Sequence, residues 1–146
     1  MYIDIENRLC NAQAFTADAN STNAFDNSAA AIDFGSGEEM CVGCAVTTAA
    51  DFTTGNETYQ FNFNQSTSDQ GTSPDILVSM VILATTLVAG YLFALPIPPG
   101  VVTKRYLFLA YDGGGTTPTI SLTAWITRRR MFEVQKRNYA SGFTIS

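Results

Sequence analysis

Residues 58–66 read Thr-Tyr-Gln-Phe-Asn-Phe-Asn-Gln-Ser, and this stretch decides the fold class. Aromatic residues occupy alternate positions at Tyr59, Phe61 and Phe63, and polar residues lie between them. Successive side chains of a β-strand point to opposite faces, so this alternation predicts a strand with one buried and one polar face.

Five further runs rich in Val, Ile, Thr and aromatic residues have the same character, and Gly, Pro, Asn and Asp separate them. They cover residues 40–47, 75–83, 87–95, 104–111 and 118–127. In the last run we expect Ile120, Leu122, Ala124 and Ile126 to face the core. We interpret Thr85-Thr86 as a turn between two buried strands, and residues 112–115 as a hairpin loop.

These patterns predict an all-β protein, a jelly-roll-like β-sandwich of about eight strands with extended N- and C-terminal arms. We place the sandwich core at residues 34–127. Residues 1–33 contain few long apolar runs and are predicted to form an arm with short strands. Residues 128–146 are predicted to be a basic tail.

The chain has 146 residues, which favours a single domain, and it contains no histidine. Histidine is part of Ser-His-Asp and Cys-His catalytic groups and of the usual zinc sites, so these chemistries are excluded. No paired carboxylates with acid and base spacing take their place. We therefore expect a protein that is not an enzyme and needs no cofactor or metal.

Charge is divided unevenly along the chain. Residues 1–103 contain one base and eleven acids, a net charge of −10, whereas residues 104–146 contain seven bases and two acids, a net charge of +5. A chain so divided can attract copies of itself or a partner with a divided surface. The alternative interpretation is a solvated surface with no partner.

The three cysteines, Cys10, Cys41 and Cys44, are expected to be free thiols. The first residues have neither a basic start nor an apolar stretch, which favours synthesis in a reducing cytoplasm. Residues three apart on a strand face opposite sides, so Cys41 and Cys44 are not expected to share a metal.

Residues 76–95 contain no charge and are long enough to cross a membrane as a helix. Val, Ile and Thr are abundant in this stretch, and Gly90 and Pro96 interrupt it. We therefore favour two strands over a membrane helix, and we expect no membrane partner.

Two stretches resemble the trimeric jelly-roll family of capsid cement, or decoration, proteins of tailed phages. The first is Asn11-Ala-Gln13 followed by Ser21-Thr-Asn23 and Asp26. The second is Pro98-Pro-Gly100 followed by Arg105-Tyr-Leu and an alternating strand that ends at Tyr111. The resemblance covers roughly residues 1–127, and the Cys41–Cys44 pair and the long tail depart from it.

The resemblance implies a structural protein on the outer surface of a phage virion. It implies a homotrimer that binds the major capsid protein and stabilises contacts between capsid subunits. The alternative is a β-sandwich module of a phage fibre or surface protein that binds a receptor or a carbohydrate. We expect no nucleic-acid partner, because the chain is acidic and has only one short basic run.

The two arms, residues 1–33 and 128–146, are predicted to make much of the contact with the capsid, and the tail supplies the candidate contact residues. Its arginines can hold carboxylates with paired hydrogen bonds, and its aromatic residues can act as anchors. Whether it contacts the capsid or the acidic first arm of a neighbouring copy stays open. The candidate interface residues are Trp125, Arg128, Arg129, Arg130, Phe132, Lys136, Arg137, Tyr139 and Phe143.

Overall fold

A computed structural model describes residues 8–26, 39–69, 74–98 and 100–134 of the chain. Within these residues the protein is almost entirely β. The strands are β1 (Arg8–Phe15), β2 (Ala19–Asn20), β3 (Phe25–Asp26), β4 (Met40–Thr48), β5 (Thr58–Ser66), β6 (Asp75–Ile82), β7 (Leu92–Ile97), β8 (Tyr106–Gly114) and β9 (Ile120–Arg128). Residues 129–134 form one helical turn and a half, here named α1.

The strands form two antiparallel sheets. Sheet A has the order β1-β9-β4-β7, and sheet B has the order β2-β8-β5-β6, with β3 also pairing with β8. If β2 and β3 count as one interrupted strand, the protein has eight strands that pair from the two ends of the chain inward. β1 pairs with β9, β2 and β3 with β8, β4 with β7, and β5 with β6. This is the pairing of a jelly roll, so the predicted fold class is confirmed.

One apolar layer lies between the two sheets, and the alternation of each strand decides which side chains enter it. Tyr59, Phe61 and Phe63 are completely buried there, as the alternating pattern predicts. The predicted core face of β9 is also confirmed, since all four of its residues belong to this layer. They are Ile120, Leu122, Ala124 and Ile126.

The N-terminal arm was predicted to lie outside the core, and here the structure corrects the boundary. β1 pairs with β9 along its length, from Arg8 opposite Trp125 to Phe15 opposite Ile120. Leu9, Cys10 and Phe15 are each about 1% exposed in the core. The sandwich therefore includes residues well before position 34. Irregular register in β1, between Arg8 and Gln13, lets the consecutive residues Leu9 and Cys10 both enter the core.

The predicted turn at Thr85-Thr86 is confirmed, whereas the predicted hairpin loop at residues 112–115 is wrong. Residues 83–91 contain turns, such as the hydrogen bond from Thr86 N to Leu83 O, and they lead from β6 in sheet B to β7 in sheet A. Likewise, the segment after β8 leads across to β9 in the other sheet. Residues 76–95 thus contain β6 and the start of β7, and the membrane-helix alternative is wrong. Among the described residues no helix is long and apolar enough to span a membrane.

Candidate interaction surfaces

Trp125 was predicted to lie at an interface, but it is 1% exposed within the chain itself. It points to the outer face of sheet A, where Phe132 of α1 covers it with ring centroids 6.2 Å apart. Cys41 and Leu92 complete this second, smaller apolar cluster. Neither Trp125 nor Phe132 is therefore available as an exposed anchor. The first turn of the tail packs on its own sheet because Phe132 is apolar and the sheet offers a place for it.

Gly43 makes that place. A Cβ on Gly43 would lie 2.8 Å from Phe132 Cδ1 and 2.9 Å from Trp125 Cε2, so only glycine leaves room for both rings. The backbone anchors α1 as well, since Arg129 N donates to Glu39 O at 2.9 Å. The start of the tail is thus fixed by one aromatic side chain and one hydrogen bond.

The predicted arginines lie beside this contact and are exposed. Arg128 ends β9 opposite Met40, and Arg129 Nε lies 3.8 Å from Glu39 Oε2. Arg130, Met131 and Val134 are on the exposed side of α1. The remaining candidates, Lys136, Arg137, Tyr139 and Phe143, lie outside the described residues.

The six described bases all lie at one end of the sandwich, which we call the cationic end. Arg8, Arg128, Arg129 and Arg130 are at the end of sheet A, and Lys104 and Arg105 precede β8 at the same end of sheet B. Acids share this end and form ion pairs, including Lys104 Nζ to Asp75 Oδ2 at 2.6 Å. Arg105 forms two hydrogen bonds to Asp26, at 2.7 and 2.9 Å.

The opposite end, which we call the acidic end, carries acids and, among the described residues, no base. Its acids are Asp18, Asp51, Glu57 and Asp112. Three of them accept hydrogen bonds from backbone amides: Asp18 from Gly113 N near the end of β8, Asp51 from Thr53 N, and Glu57 from Gly55 N at 3.0 Å. The uneven charge of the sequence is therefore also uneven in space.

The largest exposed apolar side chains border the acidic end. Phe52, Val81 and Leu83 are 45%, 68% and 74% exposed and line a shallow depression of about 100 Å³. Ile76 and Val88 add exposed apolar surface along β6 and the segment that follows it. We call these five residues the β6 patch. The run 75–83 is apolar on both faces and was predicted to be a buried strand, whereas β6 is an edge strand whose outer face is open.

The cysteines do not form a site. Cys44 belongs to the central core and Cys41 to the outer cluster, so the prediction that the pair faces opposite sides of the sheet is confirmed. Burial raises the pKa of Cys10 to about 11 and that of Cys41 to about 12. Such thiols are protonated and unreactive at neutral pH. Among the described residues no group of His, Cys, Asp or Glu could hold a metal ion.

The fold and its surfaces define a class: a small jelly-roll β-sandwich with an exposed apolar edge, one acidic end, and one end where bases and acids are mixed. The family model that describes Bbp16 matches the chain over residues 9–126, most of its length. The chain therefore belongs to the Bbp16 family, which indicates a phage-related protein. The matched region begins inside β1, in agreement with the corrected core boundary. No curated protein matches the chain.

Proposed function

We propose that this protein is a non-enzymatic structural component of a phage virion. It binds the outer surface of the capsid as a homotrimer, contacts the major capsid protein and stabilises the contacts between capsid subunits. The observation that carries the proposal is the match to the Bbp16 family over the whole jelly roll, together with the resemblance of its motifs to cement proteins. The number three rests on that resemblance.

The surfaces described above support a binding role. An exposed apolar edge and the exposed arginines at residues 128–130 are features of a protein that contacts other proteins. A lattice of identical capsid subunits repeats each binding site many times, so a multivalent protein gains avidity even from weak individual contacts. Ligand binding to the folded state alone also stabilises it by mass action.

The carbohydrate-binding alternative has less support. Such modules stack sugars on exposed aromatic side chains, and the single tryptophan lies buried beneath Phe132. Phe52 is the only described aromatic residue among the strongly exposed large apolar side chains. The side chains around Phe52 are acidic or apolar, whereas a sugar site usually places side-chain amides around an exposed aromatic ring.

The capsid contact is proposed to include the exposed side of α1, with Arg130, Met131 and Val134. A truncated chain that ends at Thr127 would uncover Trp125 and confuse binding with folding, so point variants are the better test. Purified heads that lack the protein are mixed with the wild-type chain or with Arg130→Glu, and bound protein is measured by sedimentation. The matched control is Arg105→Glu, which reverses a charge at the same end but in the β3–β8 ion pair.

We expect saturable binding of the wild-type chain and raised thermal stability of the decorated heads. Arg130→Glu should weaken binding about tenfold at low salt, with less effect at high salt because exposed charges are screened. Arg105→Glu should bind heads more nearly as the wild type does. If the wild-type chain fails to bind heads from its own phage, the proposed function is wrong. If Arg130→Glu binds as tightly as the wild type at every salt concentration, α1 is not the contact.

A further inference from the structure

Cys41 is a buried thiol on the outside of a sheet. It is completely buried in the smaller apolar cluster, which it shares with Trp125 of β9 and Phe132 of α1. The other two cysteines, Cys10 and Cys44, belong to the central core between the sheets. The burial of Cys41 therefore depends on α1, whereas the burial of the other two thiols depends on the sandwich itself.

The described contacts that hold α1 on the sheet are weak apart from one side chain. Among residues 129–134 only Phe132 is buried, and it packs on Trp125. Arg129 N donates to Glu39 O, but the side chains of these two residues are 48% and 78% exposed, so their ion pair at 3.8 Å contributes little. Six helical residues are too few to be stable in water without support. The position of α1 therefore depends mainly on Phe132.

The covered state also has a cost. Trp125 is 1% exposed, and no described residue accepts a hydrogen bond from its Nε1. A buried donor without an acceptor loses the hydrogen bond that it would make to water. Departure of α1 lets water reach the outer face of the indole, and this gain offsets part of the apolar contact that is lost when Phe132 leaves.

The sandwich does not need α1 in order to stay folded. β9 pairs with β1 on one side and with β4 on the other, and the central core contains no residue of α1. Peripheral elements with few buried contacts commonly open while the rest of a protein remains native. Opening of α1 is therefore separable from unfolding of the two sheets.

We propose that α1 is a latch that opens and closes on sheet A while the sandwich stays folded, and that Cys41 is a modification site available only when the latch is open. With the latch closed, burial raises the pKa of Cys41 to about 12, so the thiol is protonated. Opening removes this burial, and the thiolate then forms at mildly alkaline pH and reacts with thiol-specific reagents.

The latch has a consequence for the capsid contact, and this part of the inference rests on the proposed function. The closed latch fixes Arg130, Met131 and Val134 on one exposed surface, which is the surface proposed to bind heads. A partner that binds only the closed state lowers the population of the open state. Heads should therefore protect Cys41 from modification.

The test is the labelling of the native protein, at about pH 8, with an aromatic disulfide that releases a coloured thiolate. Each cysteine thiolate attacks the reagent, forms a mixed disulfide and releases one coloured thiolate, so absorbance counts the reacted thiols. We expect a faster phase of one thiol per chain and a slower phase of two. The faster phase should run at about 1% of the rate of an exposed thiol, as suits a minor open state. Cys41→Ser should remove it.

Three further variants separate the latch from the sandwich, and circular dichroism verifies that each is folded. Phe132→Ala should accelerate the faster phase at least about tenfold, because it removes the side chain that holds α1. Met131→Ala, at an exposed position on α1, should leave that phase within about twofold of the wild type. Val46→Ala, in the central core of β4, should accelerate only the slower phase.

A wild-type chain whose three thiols react together in one phase would overturn the latch. If Phe132→Ala labels at the wild-type rate, Phe132 is not what holds α1, and the inference fails in that form.

The same labelling is repeated with an excess of purified heads that lack the protein, after subtraction of the thiols of heads alone. Slower labelling of Cys41 is expected. If heads bind in the sedimentation assay but leave the faster phase unchanged, the link between the latch and the capsid contact is wrong and the proposed function stands. If heads do not bind, the proposed function is wrong, and labelling without heads still decides the latch.

Discussion

Replacing Gly43 by alanine should destabilise the protein strongly only while Phe132 is present. The added methyl group would lie 2.8 Å from Phe132 Cδ1 and 2.9 Å from Trp125 Cε2, which is closer than carbon atoms in contact can approach. Trp125 is held between sheet A and α1, so Phe132 is the side chain that moves. The expected result of Gly43→Ala is a displaced α1.

The magnitude follows from two opposing effects. Alanine in place of glycine inside a strand normally gains about 0.5–1 kcal/mol of stability. Overpacking a buried site costs about 1–3 kcal/mol, so Gly43→Ala should lower the free energy of unfolding by about 1–2 kcal/mol. Phe132→Ala alone should cost about 2–3 kcal/mol, less than a central core residue, because α1 can move away from the sheet. Once Phe132 is gone, Gly43→Ala should cost close to nothing.

The assay is a double-mutant cycle from urea unfolding, followed by circular dichroism and by the emission of the single tryptophan. The expected coupling energy between the two sites is about 1–2 kcal/mol, and both single variants should shift the emission of Trp125 to longer wavelength as water reaches it. Gly43→Ala combined with Met131→Ala, an exposed neighbour on α1, is the control and should be additive. Additive effects of Gly43→Ala and Phe132→Ala would refute the packing of α1 on this glycine.

Gly115 and Gly55 have nearly the same positive φ, 89° and 87°, but different surroundings. Gly55→Ala should lower the free energy of unfolding by about 1 kcal/mol. Gly115→Ala should lower it by at least about 2 kcal/mol more, because the added Cβ would overlap the carbonyl oxygen of Asn56. Thermal unfolding of the two variants compares them directly, and equal losses of stability would contradict the close approach of Gly115 to Asn56. The thiols predict a loss of stability in alkali: burial raises the pKa of Cys10 from 9.0 to about 11 and that of Cys41 to about 12. Above pH 9 the Cys10 thiol of the unfolded state loses a proton that the folded state keeps. The free energy of unfolding should therefore fall between pH 9 and pH 11, by an amount on the order of 2 kcal/mol for Cys10. Cys10→Ala should show a smaller fall, and a pH profile identical to that of the wild type would contradict the raised pKa of Cys10.

The sequence predicts the strands of this protein better than it predicts their partners. The runs at 40–47, 58–66 and 118–127 match β4, β5 and β9 almost to the residue, because alternation is a local property. The predicted hairpin at residues 112–115 was wrong because a short glycine-rich segment can join neighbouring strands or cross between sheets. Only contacts between residues distant in the sequence decide which of these occurs.

The candidate site shows a similar limit. The basic character of residues 128–130 was evident, but the burial of Trp125 depends on a glycine in another strand. Gly43 lies between the two cysteines, and nothing in the local pattern relates it to Phe132. The β6 patch left a clearer signal, since the run 75–83 is apolar on both faces and one sandwich core can cover only one of them.

The pairing of β1 with β9 has a practical consequence for imaging. The chain enters the sandwich at Arg8 and leaves it at Arg128, and both positions lie at the same end of sheet A. A label attached beyond either position would therefore start from that end, whereas a label inserted at Thr116 would project from the other. Electron-microscopy maps of heads carrying each label in turn would reveal which way up the molecule sits on its particle.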